Sequence, residues 1–493
     1  MTAAASLHPF LADPSKKLLI GGRWVEAVSG AVFESRNPAN GQLLATHAQG
    51  AAADIDLAVD EARRAFEGPW RRFLPCDRQK ILLRLADLVE QNFDELALLD
   101  TLDMGAPIRH TRYPRELLVG LLRFYAAQAL SLNGQTLSPS IPDMTASTLK
   151  EPVGVVGAII PWNGPIWACV WKIGPVLATG CTLVLKPAEE ASLTPLRFAE
   201  LVLEAGAPPG VVNVVTGSGP GAGAHLAAHS GVDKISFTGS HVTGRKIVQA
   251  SAGNLKRLTL ELGGKSPNII FADADLTLAG PTAAMAVFAN ACQICSAGSR
   301  VFVQRPAYEA VLEAMQRQAA TLRVGDGADP ATDLGPVVSA QQLNRVMDFM
   351  DIGAGEGARL VCGGARLTNG ALAQGYFIAP TVFADVNNSG RLAREEIFGP
   401  VASVIPFDTE EEAVALANDN DFGLGAGVWT ADLGRAHRMA RGLAAGSVWV
   451  NCYNALDPVV PFGGIKMSGY GRECGAEQLD AYLNTKALWI NTR

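Results

Sequence analysis

Between residues 153 and 273 the chain repeats one pattern: a short apolar run without polar alternation, then a stretch of helical spacing. The runs are VGVVGAIIP (153–161), TLVLKP (182–187), VVNVVTG (211–217), KISFTGS (234–240) and PNIIFAD (267–273). The intervening helical stretches fall at 167–178, 196–205, 221–228 and 242–252. Short runs that are apolar on every residue read as strands buried on both faces, and their alternation with helices predicts βαβ units in a doubly wound parallel sheet. The alternation resumes further on, with helices expected at 283–292, 307–320, 340–354 and 409–418, and strands at 301–304, 401–406, 426–430 and 447–451. Upstream the pattern differs. Residues 18–34 read as a hairpin turning at Gly21-Gly22. Apolar residues such as Ile81, Leu82, Leu85 and Leu88 recur at helical spacing, which predicts helices at 52–66, 78–104 and 116–132. The tail AYLNTKALWINTR is strand-like and terminal.

The chain's 493 residues correspond to two to four domains at roughly 100–200 residues each. With 48% hydrophobic and 18% charged residues it is an ordinary globular composition. The net charge of −7 supplies no basic excess, so no nucleic-acid partner is expected. The first residues lack a basic segment followed by an apolar one, and no apolar run reaches the roughly 18–20 residues of a membrane span. A cytoplasmic protein without membrane association is therefore expected. The eight cysteines, Cys76, Cys169, Cys181, Cys292, Cys295, Cys362, Cys452 and Cys474, are too sparse for a disulfide scaffold.

Several short stretches carry candidate chemistry. In FANACQICSAGSR (288–300) the CQIC pair has three chemical readings. Structural zinc needs four ligands, and no second CxxC exists; His225, His229 and His241 lie in another segment without zinc-finger spacing. A thioredoxin-like dithiol belongs near the start of a small domain, whereas this pair lies deep in a long chain. A single nucleophilic thiolate beside small residues is the third reading, set against an inert buried thiol. In ELGGKSPNII (261–270), Glu261 stands beside two glycines, as a surface turn or as a general base that a ligand approaches closely. In PWNGP (161–165), Asn163 sits in a rigid turn, as a cap or as an oxyanion donor. Gly217, Gly219 and Ala222 fit G-x-G-x-x-A between a strand and a helix. The acidic residue expected about 20 positions on is absent, since Asp233 precedes the next strand, and a plain turn is the stronger reading.

Taken in order, PWNGP, KPAEE, FTGS, ELGGKSP, the cysteine segment, EEIFGP and PFGGIKMSGYGRE resemble the aldehyde dehydrogenase superfamily, from Pro161 to Glu473. The resemblance implies a cofactor domain (1–132 and 152–263), a catalytic domain (264–464), both doubly wound α/β, and a small β oligomerisation element (133–151 and 478–493). It implies that Cys295 is the nucleophile, Glu261 the general base, and Asn163 the oxyanion donor together with the backbone N–H of Cys295. Lys186 and Glu189 then match the adenosine ribose contacts, Gly239, Ser240 and Gly244 the pyrophosphate site, and Glu396 and Phe398 the nicotinamide ribose and ring. Trp162 lies beside the cofactor. By the same likeness, the turn at Gly217 is not the main phosphate site. NAD is the expected cofactor because a Glu189 carboxylate repels a 2′-phosphate; NADP is tolerated if that side chain swings away. No metal is expected.

The chain departs from the family's pattern at two places. Cys292 stands where the family usually has Gly, read as a small buried residue with a regulatory disulfide to Cys295 as the alternative. Gly164 stands where many relatives carry an aromatic residue, which should widen the tunnel. By analogy Trp167, Ala168, Trp171, Ile294, Leu456 and Phe462 would line an apolar pocket for a medium or large aldehyde, aromatic or terpenoid. The strand-like tail would leave an exposed edge in a monomer, so a homodimer or homotetramer is expected. The rival readings are a coenzyme-A-acylating relative, which usually lacks the Glu at position 261, and a non-catalytic binding or structural protein derived from the fold.

Overall fold

The computed structural model describes residues 9–493. Its first large sheet has eight strands, with Val155–Ile159 next to Thr182–Lys186 and Val212–Val214 on one side, and Lys234–Gly239 and Arg257–Leu262 on the other. These five are parallel. The chain steps outward from Val155–Ile159 in one direction, then restarts on its other flank, which opens a crevice beyond the carboxyl ends of Val155–Ile159 and Lys234–Gly239. The edges are antiparallel: Leu18–Ile20 with Arg23–Val25 at one side, Gly469–Tyr470 at the other. The predicted hairpin forms at Gly21-Gly22, both at positive φ (60° and 76°), the conformation a two-residue turn of this hand needs.

The second large sheet has seven strands. Its order runs Arg359–Cys362, Thr381–Ala384, Val401–Phe407, Arg300–Gln304, Pro267–Ile270, Gly425–Trp429 and Ser447–Val450, all parallel except the first pair. Every residue of Val155–Ile159, Thr182–Lys186 and Pro267–Ile270 is buried, as expected of strands covered on both faces. The fold is therefore α/β with two doubly wound sheets. A third, antiparallel sheet joins Leu483–Asn491 to Met144–Pro152 over nine residue pairs, with Thr136–Leu137 beyond.

Some elements differ from the sequence-based expectation. The helical run 78–104 is two helices, Pro75–Gln91 and Phe93–Met104, because Asn92 turns its side-chain amide back onto the Leu88 carbonyl. The helix expected at 283–292 runs Leu276–Phe288, capped by Asp275, with Gly280 and Pro281 inside it. The helix expected at 221–228 begins at Ala224, after a wider turn over Gly219–Gly223. Helix Leu433–Gly442 escapes the apolar pattern because only Ala436 and Met439 of its residues are buried.

Candidate active site

The carboxyl edge of the first sheet faces the amino edge of the second. Glu261 lies at the end of Arg257–Leu262 and Pro161–Gly164 follow Val155–Ile159, while Cys295 precedes Arg300–Gln304 and Glu396 precedes Val401–Phe407. The segment Gly263–Gly264–Lys265 carries the chain from one sheet to the other.

Cys295 follows an unusual corner. After helix Leu276–Phe288 the backbone takes three successive left-handed residues, Asn290, Ala291 and Cys292, with φ of 49°, 52° and 59°. Each such non-glycine residue costs on the order of 1–2 kcal/mol. A polar lock holds the corner. Asn163 donates from Nδ2 to the Gln293 carbonyl (2.8 Å), and Gln293 donates from Nε2 to the Asn290 carbonyl (3.2 Å) and accepts from the Val338 N–H (2.9 Å). Asn163 is thereby tied to the backbone two residues before the thiol.

The two cysteines of CQIC do not act as a pair. Both are free thiols. Cys292 is packed in the cluster around Phe288, Val301 and Trp429, whereas Cys295 packs against the cluster that holds Trp171 and Phe462. The two side chains join different cores, which speaks against their working as a pair and leaves Cys295 half-buried beside the aromatic residues. Burial pushes the Cys295 thiol well above its usual range, with Glu261 and Glu396 adding to the shift.

Glu261 is 4% exposed. Its Oε1 accepts from the Gly464 N–H (3.2 Å), and its Oε2 has no partner among the described residues. Burial raises this carboxyl well above the ordinary range; Glu473 adds to the rise and Lys172 opposes it. Lys172 and Glu473 form a buried ion pair, and Gln478 donates to Glu473 and to the Trp171 carbonyl (2.9 Å), while Tyr125 donates to Gln478. The sequence reading assigned no role to Lys172 or Glu473. One signal was present: a single lysine inside the otherwise apolar PIWACVWKIGPVLAT demands a buried anion.

The residues expected to hold a dinucleotide gather around the crevice. Lys186 donates to Glu189 Oε2 (2.8 Å), and Glu189 Oε1 accepts from the Gly219 N–H (2.7 Å). One N–H of the G-x-G-x-x-A turn is thus spent on a carboxylate of the protein itself. Ser240 caps helix His241–Ala250, and a Cβ on Gly239 would lie 2.6 Å from the Phe237 ring. Gly244 packs its Cα on Leu262, where a Cβ would lie 2.8 Å away. Trp162 meets Phe398 edge-on at 5.4 Å. Glu396 Oε1 accepts from the Gly264 N–H (3.1 Å), and a Cβ on Gly263 would fall 2.0 Å from Oε2, so a side chain there would push this carboxylate from its seat. Burial raises the Glu396 carboxyl to about 7. A narrow cleft is lined by Gly264, Cys292, Ile294, Glu396 and Phe398.

Of the substrate-side residues, Trp167 stands edge-on to Trp171 (5.5 Å), and Trp171 stacks on Phe462 (5.8 Å). Ala168 is buried in the same cluster and Leu456 packs against it. Gly164 has extended backbone, and a Cβ there would meet only the Trp167 side chain at 3.5 Å, an ordinary contact; its glycine leaves space rather than relieving strain. Ile294 departs from the expectation. It packs with Cys292 and lines the Glu396–Phe398 cleft.

Among the described residues one group brings three metal-type ligand atoms together: Asp56, His225 and His229. His229 Nδ1 accepts from the Gly231 N–H (3.0 Å), which leaves the ring proton on Nε2, aimed at Asp56. Hydrogen bonding accounts for the cluster.

A family model described as "Aldehyde dehydrogenase family" matches residues 24–488. The mitochondrial aldehyde dehydrogenase of Homo sapiens is 46% identical over 478 residues, 96% of this chain and 92% of that protein. Retinal dehydrogenase 2 of Homo sapiens is 44% identical, covering 99% of this chain and 95% of its own length. The solved structure of betaine aldehyde dehydrogenase from Staphylococcus aureus in complex with NAD+ superimposes with a TM-score of 0.97 at 39% identity, covering 98% of this chain and 96% of that one.

Proposed function

The chain belongs to the aldehyde dehydrogenase family, and from that premise we propose that it oxidises a medium or large hydrophobic aldehyde, aromatic or terpenoid, to the carboxylic acid with NAD, through a thioester on Cys295. The observation that carries the reading is the position of the half-buried Cys295 on the aromatic cluster of Trp167, Trp171 and Phe462, with Asn163 tied to its loop and Glu261 acting on its charge.

The residues around the crevice fit a dinucleotide. Thr238 Oγ1 is buried there without a partner among the described residues, and Glu396 lies in a cradle that a side chain at Gly263 would fill. Lys186 and Glu189 would hold the adenosine ribose, Gly239, Ser240 and Gly244 the pyrophosphate, and Glu396 and Phe398 the nicotinamide ribose and ring, beside Trp162. Glu189 is clamped at both oxygens, which favours NAD over a 2′-phosphorylated cofactor. NAD, when bound, supplies the acceptor for the aldehyde hydrogen and its electron pair.

The protein's own groups do the rest. The Cys295 thiol loses its proton to solvent, and the thiolate pair bonds to the carbonyl carbon as the π pair moves onto oxygen, where the second Nδ2 hydrogen of Asn163 and the Cys295 backbone N–H hold it. Loss of the aldehyde hydrogen leaves an acyl thioester. The free Oε2 of Glu261 takes a proton from a water that attacks this thioester; the C–S bond breaks, and the acid leaves. The raised carboxyl of Glu261 suits this work, because its ionised form takes up a proton more strongly than an ordinary carboxylate does.

The exposed terminal strand Leu483–Asn491, with Leu488, Trp489 and Ile490 half in solvent, supports a homo-oligomer, dimer or tetramer. No helix among the described residues is long and apolar enough to cross a membrane. NADH formation at 340 nm with an aldehyde panel tests the substrate reading. A kcat/KM for benzaldehyde-like and C10 aldehydes well above those for acetaldehyde and betaine aldehyde is expected; equal values would reject the hydrophobic substrate. Carboxylic acid formed without coenzyme A distinguishes hydrolysis from acyl transfer.

A further inference from the structure

Ser296 directly follows Cys295 and is buried, and both of its oxygens are held by one distant loop. Its hydroxyl donates to Asn454 Oδ1 (2.7 Å), and its carbonyl accepts from the Tyr453 hydroxyl (2.9 Å). The Tyr453 ring is seated where two glycines leave room for it. A Cβ on Gly298, in the Cys295 loop, would lie 2.9 Å from the ring, and one on Gly427, in strand Gly425–Trp429, would lie 2.7 Å from it. Trp449 tilts against the same ring at 5.1 Å and donates from Nε1 to the Ala455 carbonyl (2.8 Å). Asn454 reaches Ser296 from left-handed backbone (φ 56°), which asparagine adopts more readily than most residues. Beyond these contacts the loop is loosely held. Ala455, Asp457, Val459 and Val460 are exposed. After Ala455, the next hydrogen bond to the body of the protein among the described residues is that of the Gly475 N–H to the Pro458 carbonyl (3.0 Å). Leu456 lies between, packed like Cys295 against the cluster that holds Trp171 and Phe462.

We propose that Ser296 and Asn454 are positioning residues that set aldehyde preference: their hydrogen bond fixes the pocket wall at Leu456 against the loop that carries the Cys295 sulfur. The proposal rests on the reading of Cys295 as nucleophile and Leu456 as pocket wall. Of the two partners, Ser296 is the better anchored. On its own loop the Ala297 N–H donates to the Ile294 carbonyl and the Gly298 N–H to the Ala286 carbonyl, both at 3.1 Å. The Cys295 carbonyl packs so closely on Gly264 that a Cβ there would lie 2.8 Å away. Loss of the Ser296–Asn454 bond therefore loosens the exposed loop and its Leu456, and leaves the thiol where it is. An aldehyde with a long apolar tail rests on that wall, so the wall helps to place its carbonyl at the sulfur. Acetaldehyde has no tail to be placed. Covalent attack demands close alignment of the reacting atoms, so a wall that shifts slows the long substrate more than the short one.

The test is the ratio of kcat/KM for decanal to kcat/KM for acetaldehyde in Ser296→Ala, Asn454→Gly, their double variant and Asn454→Asp, each checked for fold by circular dichroism. Glycine removes the acceptor and tolerates the left-handed backbone; aspartate keeps an acceptor oxygen in place. Ser296→Ala should lower kcat/KM for decanal about 3- to 10-fold, the worth of one neutral hydrogen bond, and lower that for acetaldehyde by a smaller factor. Asn454→Gly should lower the ratio similarly, and Asn454→Asp should keep it near the wild-type value. In the Asn454→Gly background, Ser296→Ala should add little, because the bond is already gone. Equal losses for the two aldehydes would overturn the proposal, and so would a Ser296→Ala effect that is as large without Asn454 as with it. If Ser296→Ala does not fold, the two Asn454 variants carry the test: a ratio lowered in Gly and kept in Asp supports the proposal, and the same ratio in both overturns it. The wild-type ratio reports separately on the reading beneath. A wild-type enzyme that favours acetaldehyde rejects the hydrophobic substrate, while the change of ratio from wild type to variant still reports the tie.

Discussion

The two large sheets are built alike and used at opposite ends. In the first, the carboxyl end opens at the point where strand order reverses, and the residues assigned to cofactor and general base stand there, as the general rule for open parallel sheets requires. In the second, the carboxyl end is closed by a polar lock. Thr430 Oγ1 donates to Asp273 (2.9 Å), Arg435 pairs with Asp273 (2.8 Å), and Asn451 exchanges hydrogen bonds with the Thr430 backbone at 3.0 Å each way. Its amino end instead presents Cys295, Lys265 and Glu396. A parallel fold thus does not by itself say which end works. The orientation of the partner sheet decides it, because a thiol acts only where a second surface brings a base and an oxyanion donor.

The sharpest tests remove groups from the face where the sheets meet. Cys295→Ala deletes the bond-forming atom, so dehydrogenase turnover should fall by at least about 10⁴-fold, with NADH formation as the readout; retained oxidation would place the chemistry elsewhere. Glu261→Gln should slow acid release by roughly 100- to 10,000-fold, the worth of a positioned base. The carboxyl's raised affinity for protons fixes the sign: the base form grows as pH rises, so wild-type kcat should climb with pH and the Gln variant should lose that climb. A Gln variant with the same pH dependence would reject Glu261 as the base. Asn163→Ala should cost about 100- to 1,000-fold in kcat, since one oxyanion donor is lost. It also unties the Gln293 carbonyl, so Asn163→Asp, which keeps the size and loses the donor, should be as slow.

What the residue pattern disclosed follows the same division. Strands buried on both faces are legible because they are apolar throughout, and the βαβ alternation then leaves few topologies. Cys295, Glu261 and Asn163 were singled out by the ordered motifs around them, and folding ties Asn163 to the Cys295 loop. Ile294 was expected beside the substrate, and folding sets it against Cys292 and the Glu396–Phe398 cleft, a placement that no spacing encodes. Lys172 with Glu473, 301 positions apart, is a pair whose necessity is visible at the lysine and whose partner emerges only after folding. The Gly219 turn matched a phosphate-binding pattern, yet its N–H is taken by Glu189.

That clamp gives a smaller effect at the rim of the first sheet. With Lys186 and the Gly219 N–H on its two oxygens, Glu189 should stay in place, so Glu189→Ser should raise the NADP-to-NAD ratio of kcat/KM by about tenfold or more through loss of like-charge repulsion. An unchanged ratio would mean that the carboxylate does not face the 2′ position.

The smallest effect on turnover is expected at the closed end of the second sheet, and there the comparison is most exposed. Thr430 is 3% exposed, and its hydroxyl donates to Asp273 while accepting from the Asp432 N–H (3.1 Å) and Arg435 (3.2 Å). Thr430→Val keeps the shape and strands these partners, which should destabilise by about 1–3 kcal/mol. The midpoint of thermal inactivation should fall, while kcat/KM per folded enzyme changes by less than about twofold, as for a position remote from the chemistry. A large loss of kcat/KM at unchanged stability would show that the carboxyl end of the second sheet takes part in the reaction, and the contrast between the two sheets would fail at that point.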